Sequence, residues 1–166
     1  MASVKTEFDA STMLKLMSAE DQLFVIERGP FVAKSGMVRK LMDDLKDVFD
    51  PATTTIPLKN VDAKTLVIVI RYVKHMETIP STDDEQKKAK TDFIAKECPQ
   101  LSTIYEVIQA ANYLDMADLL DLGCLTIANM IKGKTVEEMR TIFGIKNDFT
   151  KEEEEEVRRD NQWAFE

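Results

Sequence analysis

Residues 103–135 read TIYEVIQAANYLDMADLLDLGCLTIANMIKGKT, and this stretch is helix by pattern. Thr103-x-x-Glu106 has the form of a capping box, in which the hydroxyl takes one free N–H of a helix start and the carboxylate reaches back to another. Ile104, Val107, Ile108 and Ala111 then recur on one face, as the 3.6-residue period of a helix requires. Asp115 is placed to cap a second, longer helix running through Leu120, Cys124, Ile127 and Ile131. Gly133 is a natural stop, and Lys132 sits where the negative end of the helix dipole favours a cation.

The same device recurs toward the C-terminus. Thr135-x-x-Glu138 opens a short helix with Val136, Met139, Ile142 and Phe143, which Gly144 ends. Thr150-x-x-Glu153 opens another, with Glu152–Glu156 at its start and Arg158 and Arg159 near its end. Acids first and bases last is the order that complements the dipole. This last helix has few apolar positions beyond Val157, and Trp163 and Phe165 follow it. So little apolar surface cannot hold a helix alone in water, and the segment lacks coiled-coil heptads. Trp163 and Phe165 either pack back onto the body or join an interface, where Trp is a favoured anchor.

Toward the N-terminus, residues 1–12 read as a loose end. Leu14 and Leu16, then Leu23–Ile26, flank the polar segment Ser18–Gln22, the pattern of a β-hairpin that Arg28-Gly29-Pro30 ends. Val38, Leu41, Met42 and Leu45 return to helical spacing. Ile56, Leu58 and Val61 follow, and Pro57 restricts any strand there to a short or edge one. Asp62 can cap a helix carrying Leu66, Val69, Ile70, Val73 and Met76. Residues 79–92, acidic and without apolar anchors, read as a solvated loop. Phe93, Ile94 and Cys98 then begin a short helix limited by Pro99.

Composition narrows the function. The 166 residues include 22 Lys+Arg, 30 Asp+Glu and one His, for a formal net charge of -8. That balance argues against general nucleic-acid binding, which needs clustered cations. No stretch approaches the ~20 apolar residues that span a bilayer, and Met1–Thr12 lacks the form of a secretory signal. Cys98 and Cys124 make no metal or redox spacing, so the expectation is a reduced, intracellular protein. His75 has no second ligand at metal spacing, Cys98 has no nearby base, and Glu152–Glu156 lacks the alternating oxygens of a calcium loop. The glycines stand alone and form no phosphate loop. No catalytic constellation and no cofactor or metal site is expected.

The fold follows from a resemblance. Ala110-Ala111-Asn112-Tyr113-Leu114-Asp115, Ile127–Thr135, Phe143–Thr150, the glutamate run and Asn161-Gln162-Trp163 resemble the S-phase-kinase-associated adaptor family. These are small adaptor subunits of SCF ubiquitin ligases. The resemblance is dense over residues 102–163 and looser, in the same order of elements, over residues 14–76. It implies an α/β (α+β) BTB/POZ fold: a small sheet flanked by helices over residues 13–134, and a two-helix extension over residues 135–166. It also implies a non-catalytic bridge between a cullin and an F-box protein, working in cytoplasm and nucleus, with weak homodimerisation when unpartnered. By position, Asn112 and Tyr113 match the cullin contact. Ile104, Tyr105, Ile108, Leu120, Cys124 and Ile127 match apolar positions facing the F-box, as do Ile145 and Trp163 in the extension.

The chain departs from that pattern in two places. Thr91–Ser102 lacks the Trp that many members carry before the Asp/Glu-Phe pair, and the chain ends Trp-Ala-Phe-Glu rather than in the usual Trp-Cys form. These changes bear on the choice of F-box partner more than on the fold. Two other readings share a BTB-type body: an elongin-C-like adaptor, which residues 135–166 disfavour because that family stops near Ile131, and a self-associating scaffold.

Overall fold

A computed structural model describes residues 12–45, 47–50, 53–79, 82–161 and 163. It divides into two units, Met1–Asn129 and Met130–Glu166. The expected hairpin is present: β1 (Met13–Met17) pairs antiparallel with β2 (Leu23–Glu27), with Leu14 opposite Ile26 and Leu16 opposite Phe24. Leu14 and Leu16 are fully buried, so alternate β1 side chains face the core, as period-2 strands demand. Asp21 takes a left-handed conformation in the turn (φ 61°). Glu20 ties the turn to the next layer by accepting from Ser18 Oγ and from the Ala63 N–H, both at 2.9 Å.

The third strand, β3 (Thr55–Pro57), runs parallel to β1 and makes the sheet order β2-β1-β3. Pro57 ends an edge strand, where its missing N–H leaves no ladder bond broken. The Leu58 N–H takes over and donates to the Met17 carbonyl at 2.7 Å.

Helices cover the sheet. The segment Arg28–Lys34 ends the strand as expected but also forms a helix of its own, α1, seated by the buried Phe31. Pro30 fits because the first helical turn has no use for its N–H. Next come α2 (Gly36–Asp44), with the Ser35 hydroxyl accepting from the Val38 N–H, and α3 (Ala63–Glu77), capped by Asp62 at 2.6 Å from the Thr65 N–H. Leu66, Val69, Val73 and Met76 form the buried stripe of α3, together with Tyr72.

The loop expected over residues 79–92 is corrected. From Asp83 onward the chain is helix α4 (Asp83–Glu97), and Phe93 and Ile94 close it rather than begin it. Thr82 stands at the N-cap and donates its hydroxyl to the Glu85 carboxylate, without capping a backbone N–H of the first turn. The far end is anchored on α3: Phe93 meets the Tyr72 ring edge-on at 5.4 Å and stacks on His75 at 5.6 Å, and Arg71 pairs with Glu97 at 2.7 Å. Three tertiary contacts of one end thus hold a helix whose other face is polar.

Two cap assignments are also corrected. α5 spans Leu101–Tyr113 with Gln100 as its N-cap, so Thr103 lies inside the first turn and Glu106 has no cap to complete. α6 spans Ala117–Ile131, and Asp115 lies in the connection before it with φ 53°. Of the face expected on α5, Ile104, Val107 and Ala111 are buried and Ile108 is half-buried, and Ala110 is buried as well.

The second unit carries α7 (Val136–Phe143) and α8 (Lys151–Asp160), the two further helices of the expected architecture. Both capping boxes are complete. Thr135 Oγ1 accepts from the Glu138 N–H at 3.2 Å while Glu138 accepts from the Thr135 N–H at 2.8 Å, and Thr150 with Glu153 repeats this at 3.3 and 2.8 Å. Gly144 ends α7 in the left-handed conformation (φ 65°), and the Ile145 N–H reaches back to the Arg140 carbonyl at 2.8 Å.

Candidate interaction site

The α5–α6 connection is held by hydrogen bonds from a neighbouring element. Its carbonyls would be stranded at a helix end without partners. α2 supplies them: the Ser35 hydroxyl donates to the Leu114 carbonyl at 2.7 Å, the Met37 N–H donates to the same oxygen at 3.2 Å, and the Gly36 N–H donates to the Asp115 carbonyl at 2.9 Å. Gly36 leaves room there for the Asp115 side chain. A Cβ on it would lie 2.0 Å from Asp115 Oδ2 and 3.2 Å from Asp115 Cβ. Leu114 and Met116 are buried and fix the loop from below. The result is a rigid corner on which Asn112 is exposed and Tyr113 is half-buried, with its ring partly in water.

The apolar candidates on α5 and α6 do not share one environment. Tyr105 is 42% exposed and Cys124 is exposed, while Ile108, Leu120 and Ile127 are half-buried. Ile104, expected on the partner-facing side, is 4% exposed and belongs to the core. The helical face turns inward there because α5 packs on α3, and residue 104 falls in line with the buried Val107 and Ala111. Gly123 lets the two helices approach closely, since a Cβ there would lie 2.5 Å from Ile108 Cγ1. Leu125, which the sequence did not single out, is 54% exposed.

The second unit is different in kind. Neither α7 nor α8 has a buried residue. Val136, Ile145, Phe149, Val157 and Trp163 are each about half exposed or more, with Trp163 at 76%. Val136, Met139, Phe149 and Val157 line a cavity of about 950 Å³ between the two helices. Arg140 holds its wall by pairing with Glu137 at 2.6 Å on its own helix and with Glu154 at 3.2 Å on α8. Val136, Met139, Phe149 and Val157 are not among the site residues expected from the sequence. A lone aromatic in the polar run Asn147-Asp148-Phe149-Thr150 was the available signal for Phe149. Phe165 lies outside the described residues.

Cys98 is buried, and that burial, with the Glu97 charge second, pushes its thiol up to about 11. A thiol so placed is not a nucleophile near neutral pH. The lowered carboxyls of Glu138 and Glu153 are explained by the backbone N–H bonds they accept from Thr135 and Thr150, a structural task. Among the described residues no group of three His, Cys, Asp or Glu is arranged to hold a metal, and no helix is long and apolar enough to cross a membrane.

Comparison with known proteins gives the arrangement its context. The Skp1 family tetramerisation domain matches residues 12–78, and the Skp1 family dimerisation domain matches residues 117–164. SKP1-like protein 12 of Arabidopsis thaliana is 44% identical over 160 residues, covering 95% of this chain and 99% of that protein. The SCF ubiquitin ligase complex protein SKP1a of Dictyostelium discoideum is 40% identical over 163 residues, covering 92% and 96%. The E3 ubiquitin ligase complex SCF subunit sconC of Talaromyces stipitatus is 37% identical over 161 residues, covering 93% and 98%. The three-stranded sheet with its helices falls within the first matched region and beyond it, and α6–α8 fall within the second. With both family domains matched and such relatives covered nearly end to end, the chain belongs to the Skp1 family.

Proposed function

We propose that this chain is a non-catalytic adaptor of an SCF (cullin-RING) ubiquitin ligase, bridging the cullin N-terminal region to F-box substrate receptors in ubiquitin-dependent protein degradation. The observation that carries the proposal is the second unit: two well-capped helices with no buried residue, and five exposed large apolar side chains on them and on the segments that follow them. Such a pair gains its packing from another protein, and an amphipathic helical motif laid in an apolar groove is the usual form of that exchange. In this reading Ile145 and Trp163 meet the F-box protein together with Val136, Phe149 and Val157. Tyr105, Ile108, Leu120, Cys124 and Ile127 extend the contact onto α5 and α6. Asn112 and Tyr113, held on the rigid corner, meet the cullin. Left unpartnered, the same apolar surface would drive weak self-association. The reading places the protein in cytoplasm and nucleus.

Amide hydrogen exchange on the full chain tests it. Alone, residues 136–160 should exchange fast, because segments with few buried contacts open easily. Adding an isolated F-box segment should slow exchange there by about tenfold or more, in proportion to the free energy of docking. Unchanged exchange at saturating F-box segment would overturn the assignment.

A further inference from the structure

One buried side chain serves two helices at once. Ser35 is 0% exposed. Its hydroxyl accepts from the Val38 N–H at 3.2 Å, which caps the start of α2. The same hydroxyl donates to the carbonyl of Leu114, the C-cap of α5, at 2.7 Å and 79 positions away in the chain. The rest of the junction is backbone. The first N–H groups of a helix and its last carbonyls have no partners within it. Here the two sets meet: the Gly36 N–H donates to the Asp115 carbonyl at 2.9 Å and the Met37 N–H to the Leu114 carbonyl at 3.2 Å. With Val38 served by Ser35, the first three N–H groups of α2 are all paired. The positive start of α2 thus meets the negative end of α5, which favours the junction electrostatically.

The corner itself is a demanding turn. The Met116 N–H returns to the Ala111 carbonyl at 2.9 Å and the Asp115 N–H to the Asn112 carbonyl at 3.2 Å. These are the paired bonds of a Schellman ending, whose left-handed position usually falls to glycine. Asp115 occupies it at φ 53°, a conformation that costs a residue carrying a Cβ. The turn is therefore kept in place from outside. Among the described residues, Ser35 is the one side chain hydrogen-bonded to its backbone. Asn112, exposed, and Tyr113, half-buried, stand immediately before it.

We propose that Ser35 is a positioning residue for the cullin contact. Its hydroxyl fixes the corner that presents Asn112 and Tyr113, so cullin affinity depends on a side chain buried too deeply for a partner to touch. The inference rests on the assignment of those two residues to the cullin. The exposed apolar residues of α7 and α8 belong to the other unit, and F-box affinity is the internal control.

Calorimetric titration of the full chain with a cullin N-terminal domain and, separately, with an F-box segment reads the effect. Ser35→Ala should weaken cullin binding about tenfold, the population shift that loss of one buried hydrogen bond produces, and leave F-box affinity unchanged. Ser35→Gly should do the same. Gly caps a helix nearly as well as Ser, so this variant separates the bond to Leu114 from the cap of α2 and decides the matter if Ser35→Ala does not fold. Ser35→Thr, which keeps the hydroxyl, should bind the cullin as the wild type does. In Ser35→Gly the Asn112 and Tyr113 amides should exchange faster with solvent while those in the middle of α3 keep their rates, as a local loosening requires. Wild-type cullin affinity in Ser35→Gly, or equal weakening toward cullin and F-box, would overturn the proposal. A wild-type chain with no affinity for the cullin would overturn the assignment of Asn112 and Tyr113, and the proposal with it.

Discussion

Single residues separate two kinds of apolar side chain that the sequence alone presents as one. Ile104 and Ile108 recur on the same helical face, but Ile104 is buried and Ile108 is half-buried against α6. Period tells that a face is apolar; it does not tell whether the core or a partner uses it. The cysteines show the same limit. Cys98 precedes a proline in a polar stretch and is buried, whereas Cys124 lies in an apolar run and is exposed. Their reactivity follows. In the native chain at about pH 8, a thiol reagent should modify Cys124 quickly. Cys98, with its thiol raised to about 11, should react only after unfolding. Equal rates for both thiols in the native state would contradict the burial described here.

At the scale of elements, local chemistry was most legible where it is self-contained. Asp62, Thr135 and Thr150 cap their helices as their sequences imply, because a capping box needs only four consecutive residues. It was least legible where tertiary contact decides. The loop reading of residues 79–92 failed because Phe93 anchors α4 on Tyr72 and His75, about 20 positions earlier in the chain. Thr103 and Asp115 failed for a related reason, since α5 starts three residues early and α6 one residue late to fit the corner held by α2. The capping boxes also set a pH response. Glu138 and Glu153 have folded-state pKa values below the ordinary carboxylate value, so their contribution is complete above that value and is lost as pH falls through the lowered ones. Helix signal from residues 136–160 should therefore decline on acidification below about pH 4. Glu138→Gln with Glu153→Gln should flatten that decline, because neither side chain then titrates, as nuclear magnetic resonance of the full chain would show. An unchanged acid profile in the double variant would assign the decline elsewhere.

At the scale of the whole molecule, the two units divide the work. The first unit has a full core and a rigid α5–α6 corner, while the second has exposed apolar side chains and no buried residue in its helices. The chain is acidic, with 166 residues, one His and two Cys. Its apolar helix faces are what distinguish it. The fold class and the two-helix extension were legible from the C-terminal motifs, and the proposed partners follow from the family to which the chain belongs. The residue sets proposed for cullin and F-box are different, so the two partners should bind together and fail separately. The direct measurement is size-exclusion chromatography with mass determination on the full chain, a cullin N-terminal domain and an F-box segment. The account predicts a ternary complex with one copy of each. Tyr113→Lys, which puts a charge where an aromatic packs, should release the cullin and keep the F-box segment. Mutually exclusive binding of the two partners, or a Tyr113→Lys chain that holds both as the wild type does, would contradict it.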